Sequence, residues 1–303
     1  MPMQRTDPKL DRRDALVKTY RYLRVALVVL IVILGASIAV EWRRTVGDCL
    51  QGSISAYYYT PVRTIFVGVL LAMGLGLVAI KGNSKWEDTA LNLAGMLAPI
   101  VAVVPTSDLG TCSSVPEAVR STAPGISNNF IAVVVGGIVA VVAGAGAALH
   151  DERRHRDGGI ERPTWVGLAV AAALLAGAIA WYNLWHGSFL EGAHFTAAIT
   201  MFVFVGWAAG TNGSCIPRTA RWARPWTWLG RKPGAWARAY RCIPVGMVAT
   251  GILTVVVTAG TRHTVFWLEV VEIVWFVTFW VLQTVEQWDE GIRTEAASST
   301  SAA

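Results

Sequence analysis

The chain has 303 residues, of which 54% are hydrophobic and only 15% charged, with a mean hydropathy of +0.47. Soluble globular domains carry about 25% charged residues, so this composition excludes an ordinary soluble enzyme and points to a lipid bilayer. The net charge of +6 does not mark a nucleic-acid partner, because the basic residues sit in short links between apolar runs.

Residues 1–22 are polar and basic and read as a tail. Leu23–Trp42 is the first apolar run, a membrane crossing with one rival: the small residues Ala36–Ala39 would suit a cleaved signal peptide. Residues 64–80 and 89–106 carry no charge and measure 17 and 18 residues, against roughly 20 needed to span a bilayer. The turn between them, Lys81–Asp88, packs four charges into eight positions and is expected in water. Residues 107–129 form a Ser/Pro/Gly loop ahead of a run at 130–150. A charged link, 151–164, precedes a run at 165–185, and a short turn at 186–194 leads to another at 195–210. The longest link, 211–241, interleaves Trp with Arg before the last two runs, 242–260 and 264–285; residues 286–303 are a second polar tail. The pattern predicts an all-α polytopic bundle with about eight transmembrane helices between residues 23 and 285. Fourteen tryptophans suit anchoring at the membrane interfaces.

Eight crossings place both termini on one side. Of 26 lysines and arginines, only Arg43, Arg44, Arg63, Arg120 and Arg262 fall on the opposite side; the other 21, with Arg24 grouped with the tail, lie on the side of the termini. Basic loops face the cytoplasm, so both termini are expected there. Ser53, Tyr58, Arg63, Asp108, His194, His263 and Glu269 then face outwards.

The stretch Ser53-x-Ser55-x-Tyr57-Tyr58-Tyr59-Thr60 is followed by Arg63, Phe66-Val67-Gly68, Lys81-Gly82, Asn92-x-Ala94-Gly95 and Pro105-Thr106. Later pieces are Ala193-His194-Phe195 with Ala197 and Ala198, then Tyr240-Arg241-Cys242, then Phe266-Trp267-Leu268-Glu269. Together, over roughly half the chain, these resemble a family of uncharacterised bacterial multi-pass membrane proteins. The resemblance implies a protein of the bacterial cytoplasmic membrane and brings no established activity with it. One departure is that the family pattern has an acidic residue after the Arg, where this chain has Thr64.

Three groups carry candidate chemistry. Glu269 and Glu272 are three apart on one helix, in an apolar setting where a carboxylate is costly unless paired or protonated. They read as a proton- or cation-binding pair, or as partners for Arg63 or Arg262. His186, His194 and His263 lie near one membrane level and would bind Zn²⁺ with Asp108 or Glu269 completing the shell. A zinc-bound hydroxide there would hydrolyse an ester or amide of a lipid headgroup, with His194, Asp108 and Glu269 as catalytic residues. The alternative is interfacial histidines bonded to carbonyls or headgroups. Ser53, Ser55 and Tyr58 read either as a pocket for a sugar or phosphate headgroup, with Arg63 as charge partner, or as part of an aromatic belt.

Cys49 and Cys112 fall on neighbouring outer loops and are a candidate disulfide, whereas Cys215 and Cys242 are expected as free thiols. The link 211–241 reads as lying on anionic lipid. Gly68 with Ala72, and Gly206 with Gly210, would allow close helix contact. The leading reading is a membrane protein whose outward site binds or hydrolyses a lipid or headgroup. A small proton-coupled carrier using Glu269 and Glu272 is the alternative, and a structural membrane component the third.

Overall fold

The computed structural model describes residues 8–45, 47, 49–106, 112, 123–154, 162–214 and 233–288. All regular structure among them is helical. The helices are α1 (Pro8–Arg44), α2 (Arg63–Ala79), α3 (Lys85–Val103), α4 (Ala123–Arg154), α5 (Arg162–Leu184), α6 (His186–Ser214), α7 (Pro233–Thr258) and α8 (Thr264–Glu286). A single 3-10 turn, Ser55–Tyr59, precedes α2.

Six helices are long and apolar enough to cross a membrane: α1, α4, α5, α6, α7 and α8. The protein is thus a multi-pass membrane protein. The two remaining helices are α2 and α3. The 17-residue α2 is apolar but short, and α3 opens on Lys85, Trp86, Glu87 and Asp88. Helix α3 is central, in contact with α2, α4, α5 and α6. Around it the chain closes through α2–α1, α1–α8, α8–α7, α7–α6, α6–α5 and α5–α4. A helix surrounded by protein needs no lipid-compatible face, so α3 tolerates polar residues that a lipid-facing helix would not. The lipid-facing surface lies elsewhere: Val135, Val139 and Val142 on α4, and Val248, Ile252 and Val256 on α7, are exposed.

Two expected boundaries move. Helix α1 starts at Pro8, inside the stretch read as a tail, and α6 starts at His186, so the expected turn 186–194 is helical. Of the link 211–241, the ends belong to α6 and α7, and residues 215–232 lie outside the described residues.

Lipid tails are as apolar as leucine, so close backbone approach carries much of the cohesion between membrane helices. The tightest such approach is α2 on α3. A Cβ added to Gly74 would lie 2.8 Å from the Gly95 carbonyl oxygen, and one on Gly95 would lie 2.7 Å from that of Gly74. Of the pairs expected from sequence, Gly206 and Gly210 do pack on Pro244 of α7, whereas Gly68 meets nothing within 4 Å. Gly95→Ala is therefore expected to destabilise by about 1–3 kcal/mol through overpacking. Gly136→Ala, in open space on α4, serves as the neutral control. Thermal unfolding in detergent distinguishes the two.

Candidate functional site

The chain between α1 and α2 folds inward instead of lying across the bundle end. Ser53, Ser55, Tyr57 and Tyr58 are all buried. Ser53 Oγ accepts from the Ala56 N–H at 2.9 Å, which commits it to the backbone of the 3-10 turn. Cys49 and Cys112 are joined by a disulfide, with Cα atoms 5.9 Å apart. The Cys112 N–H also donates to Gln51 Oε1.

Next to the turn is a three-residue polar centre, two of its members buried. Glu269, one turn into α8, accepts from the Ile54 and Ser55 N–H groups through Oε2. Its Oε1 lies 2.6 Å from Ser55 Oγ. On the other side, Ser55 Oγ lies 2.7 Å from Nε2 of His194, on α6. The Nδ1 of His194 is 2.8 Å from the Val104 carbonyl, just past the end of α3. Ser55 is 4% exposed and His194 1%. One turn, three helices and three polar side chains thus converge, with Ser55 and His194 buried and Glu269 partly so.

This is not the arrangement of a serine hydrolase. There the acid orients the histidine through Nδ1 and the serine oxygen is open to substrate. Here Nδ1 is taken by a carbonyl, the carboxylate sits on the serine, and the hydroxyl is enclosed.

Beside this centre, Arg63 lies at the start of α2. Its Nη2 donates to Tyr58 Oη at 2.7 Å, and the guanidinium stacks 4.3 Å from the centroid of the Tyr58 ring. No carboxylate lies within ion-pairing distance of it among the described residues. Arg63, Tyr58, Thr64 and Asn129 line a cleft of about 350 Å³, which continues along apolar Val67 and Val103.

The chain matches no protein-family model, no curated protein and no solved structure. Its chemistry is therefore read from its own geometry.

Several expected groupings are not formed. The three histidines do not gather: His186 is exposed on the Tyr182 carbonyl, and His263 approaches the Gln51 carbonyl at 3.3 Å. Both nitrogens of His194 are engaged by protein. No group of three metal-ligating side chains occurs among the described residues, so the expected Zn²⁺ shell is not assembled there. Asp108, its expected fourth member, lies outside the described residues. Glu269 and Glu272 also part company. Glu272 points at α7, where a Cβ on Gly251 would lie 3.2 Å from its Oε1.

At the opposite end of α3 lies a second polar cluster that the sequence reading did not single out. Ser84 caps α3 by accepting from the Glu87 N–H, and the Glu87 side chain reaches back to the Asn83 N–H at 2.7 Å. Gln283 Nε2 donates to the other Glu87 oxygen at 2.6 Å, and Asn83 donates to Asn212 at 2.9 Å. Arg24, 1% exposed on α1, donates to Gln287. Glu87 is fully buried, which corrects the expectation that the whole Lys81–Asp88 turn is solvated. Lys81 and Asp88 do form an exposed ion pair at 2.8 Å. The available sequence signal was Ser84-x-x-Glu87, half of a capping box.

Proposed function

We propose that this protein binds an anionic lipid headgroup in the Arg63 cleft, at the outer surface of a bacterial cytoplasmic membrane, in an eight-crossing fold with cytoplasmic termini. The observation that carries the reading is Arg63 itself. It is oriented by Tyr58 at the mouth of an amphipathic cleft, with no carboxylate beside it among the described residues. Guanidinium groups recognise phosphate with paired N–H donors, and one of Arg63's five donors is used by Tyr58. The apolar floor at Val67 and Val103 suits the first part of an acyl chain.

The membrane level agrees. Glu87 and Val104, at the two ends of α3, are 17 residues apart, about 26 Å along a helix. That is close to the roughly 30 Å of the hydrocarbon layer, so the cleft and the Glu87 cluster fall near opposite interfaces. Binding is favoured over hydrolysis because the nearby serine is enclosed and its hydroxyl committed.

The test compares wild type with Arg63→Gln in detergent, titrated with short-chain phosphatidylglycerol and with phosphatidylcholine. Wild type should prefer the anionic lipid, and the variant should lose roughly tenfold in affinity for it, as expected for one charge-assisted contact. Equal affinity of the two proteins for phosphatidylglycerol would overturn the proposal.

A further inference from the structure

The hydrogen-bond geometry of the polar centre at Ser55 sets the fewest protons that satisfy it. A backbone carbonyl only accepts, so the His194 nitrogen facing Val104 carries a hydrogen. Ser55 Oγ has one hydrogen and two close neighbours, His194 Nε2 and Glu269 Oε1. Two arrangements satisfy both contacts and also use the serine hydrogen. In one, a protonated Glu269 donates to Ser55 Oγ, and Ser55 donates to a neutral His194. In the other, an imidazolium His194 donates to Ser55 Oγ, and Ser55 donates to an ionised Glu269.

The other combinations are poorer. With Glu269 ionised and His194 neutral, the single serine hydrogen serves one neighbour and leaves lone pairs opposed at the other. With both groups protonated, both donate to the two lone pairs of Ser55 Oγ and both contacts survive, but the serine hydrogen has neither of them as acceptor. The two workable arrangements contain the same number of protons. They interconvert when one proton moves from Glu269 to Ser55 as another moves from Ser55 to His194, without any heavy atom shifting.

We propose that Glu269, Ser55 and His194 form a proton-binding relay that holds one shared exchangeable proton, and that this proton clamps the 3-10 turn to α6 and α8. Loss of the proton sets lone pairs against each other at one of the two Ser55 contacts and releases the turn. This inference does not depend on whether the Arg63 cleft takes lipid.

Among the described residues, the other ionisable groups on the elements meeting here have these surroundings. Tyr58 holds Arg63, Tyr59 donates to the Thr106 carbonyl, and His263 lies on the Gln51 carbonyl. Glu272 faces α7, Glu191 is exposed, and Tyr57 is buried within reach of the field of Glu41. The stretch Val101–Thr106 carries no ionisable side chain.

The test is hydrogen exchange by mass spectrometry on peptides covering residues 51–62, in the full chain, across a pH series and corrected for the intrinsic rise with hydroxide. Wild type should show a one-proton step, with opening of the turn rising about tenfold per pH unit once the shared proton leaves. Glu269→Gln mimics the protonated carboxyl: its amide oxygen serves the two backbone N–H groups and its NH₂ serves Ser55. It should therefore stay protected, with no step. Ser55→Ala should be unprotected throughout. A wild type without a step would overturn the proposal. So would a Glu269→Gln variant as unprotected as Ser55→Ala, since the turn would then require the carboxylate anion and not the shared proton.

Discussion

Glu269→Ala is expected to cost more stability than any other single truncation at this end of the bundle, on the order of 3 kcal/mol for the three donors it leaves. The carboxylate accepts from the Ile54 and Ser55 N–H groups and faces the Ser55 hydroxyl. Alanine leaves these buried groups without that acceptor, and His194 loses the far end of its chain. His194→Ala should cost less, about 1–3 kcal/mol, because it orphans the Val104 carbonyl and opens a cavity while the carboxylate contacts survive. Ser53→Ala, which removes one buried side-chain bond to the turn, should cost about 1 kcal/mol. Thermal unfolding of the three purified variants in one detergent ranks them. If Glu269→Ala melts with Ser53→Ala, the carboxylate is not what seats the turn.

Helix content was legible because a bilayer forces the backbone to satisfy its own hydrogen bonds, so each long apolar run becomes a helix. The partners of individual side chains were not legible, and rotation about the helix axis explains why. Glu269 and Glu272 are near one face by spacing, yet three residues turn a helix by about 300°, leaving the two side chains about 60° apart. That is enough to aim one at the 3-10 turn and the other at Gly251 of α7. His186 and His194 belong to the same helix, eight residues and about 12 Å apart along its axis, so they do not converge on one ion. Ser55 meets Glu269 across 214 positions of sequence and His194 across 139. No local pattern encodes such a meeting. Charge density misled in the turn Lys81–Asp88, because the Ser84 cap makes Glu87 the third helical residue, facing the bundle, while Asp88 turns out to Lys81.

Raising the pH is expected to destabilise the protein through Glu87, and Glu87→Gln should remove the effect. Glu87 precedes the crossing predicted at 89–106. Burial pushes its carboxyl from the ordinary 4.5 up to about 7. The Asn83 N–H, the Gln283 amide and the Arg24 guanidinium oppose that rise, and Glu286 adds to it. A carboxyl raised on folding is protonated more readily in the native state, so its contribution is fully present below about 4.5 and is lost as pH climbs through about 7. The swing is on the order of 3 kcal/mol. In the Glu87→Gln variant, the new amide keeps an acceptor for the Asn83 N–H. Its NH₂ finds a partner if the Gln283 amide turns over, which brings in a Gln283 oxygen that has no hydrogen bond in the native arrangement. The variant therefore preserves the packing and lacks the titration. Melting temperatures of wild type and Glu87→Gln, compared between pH 4.5 and 8, should diverge as the pH rises, with wild type falling relative to the variant. Parallel curves across that window would mean that Glu87 ionises in place without penalty, and the cluster would then be a solvated ion site instead of a buried acid.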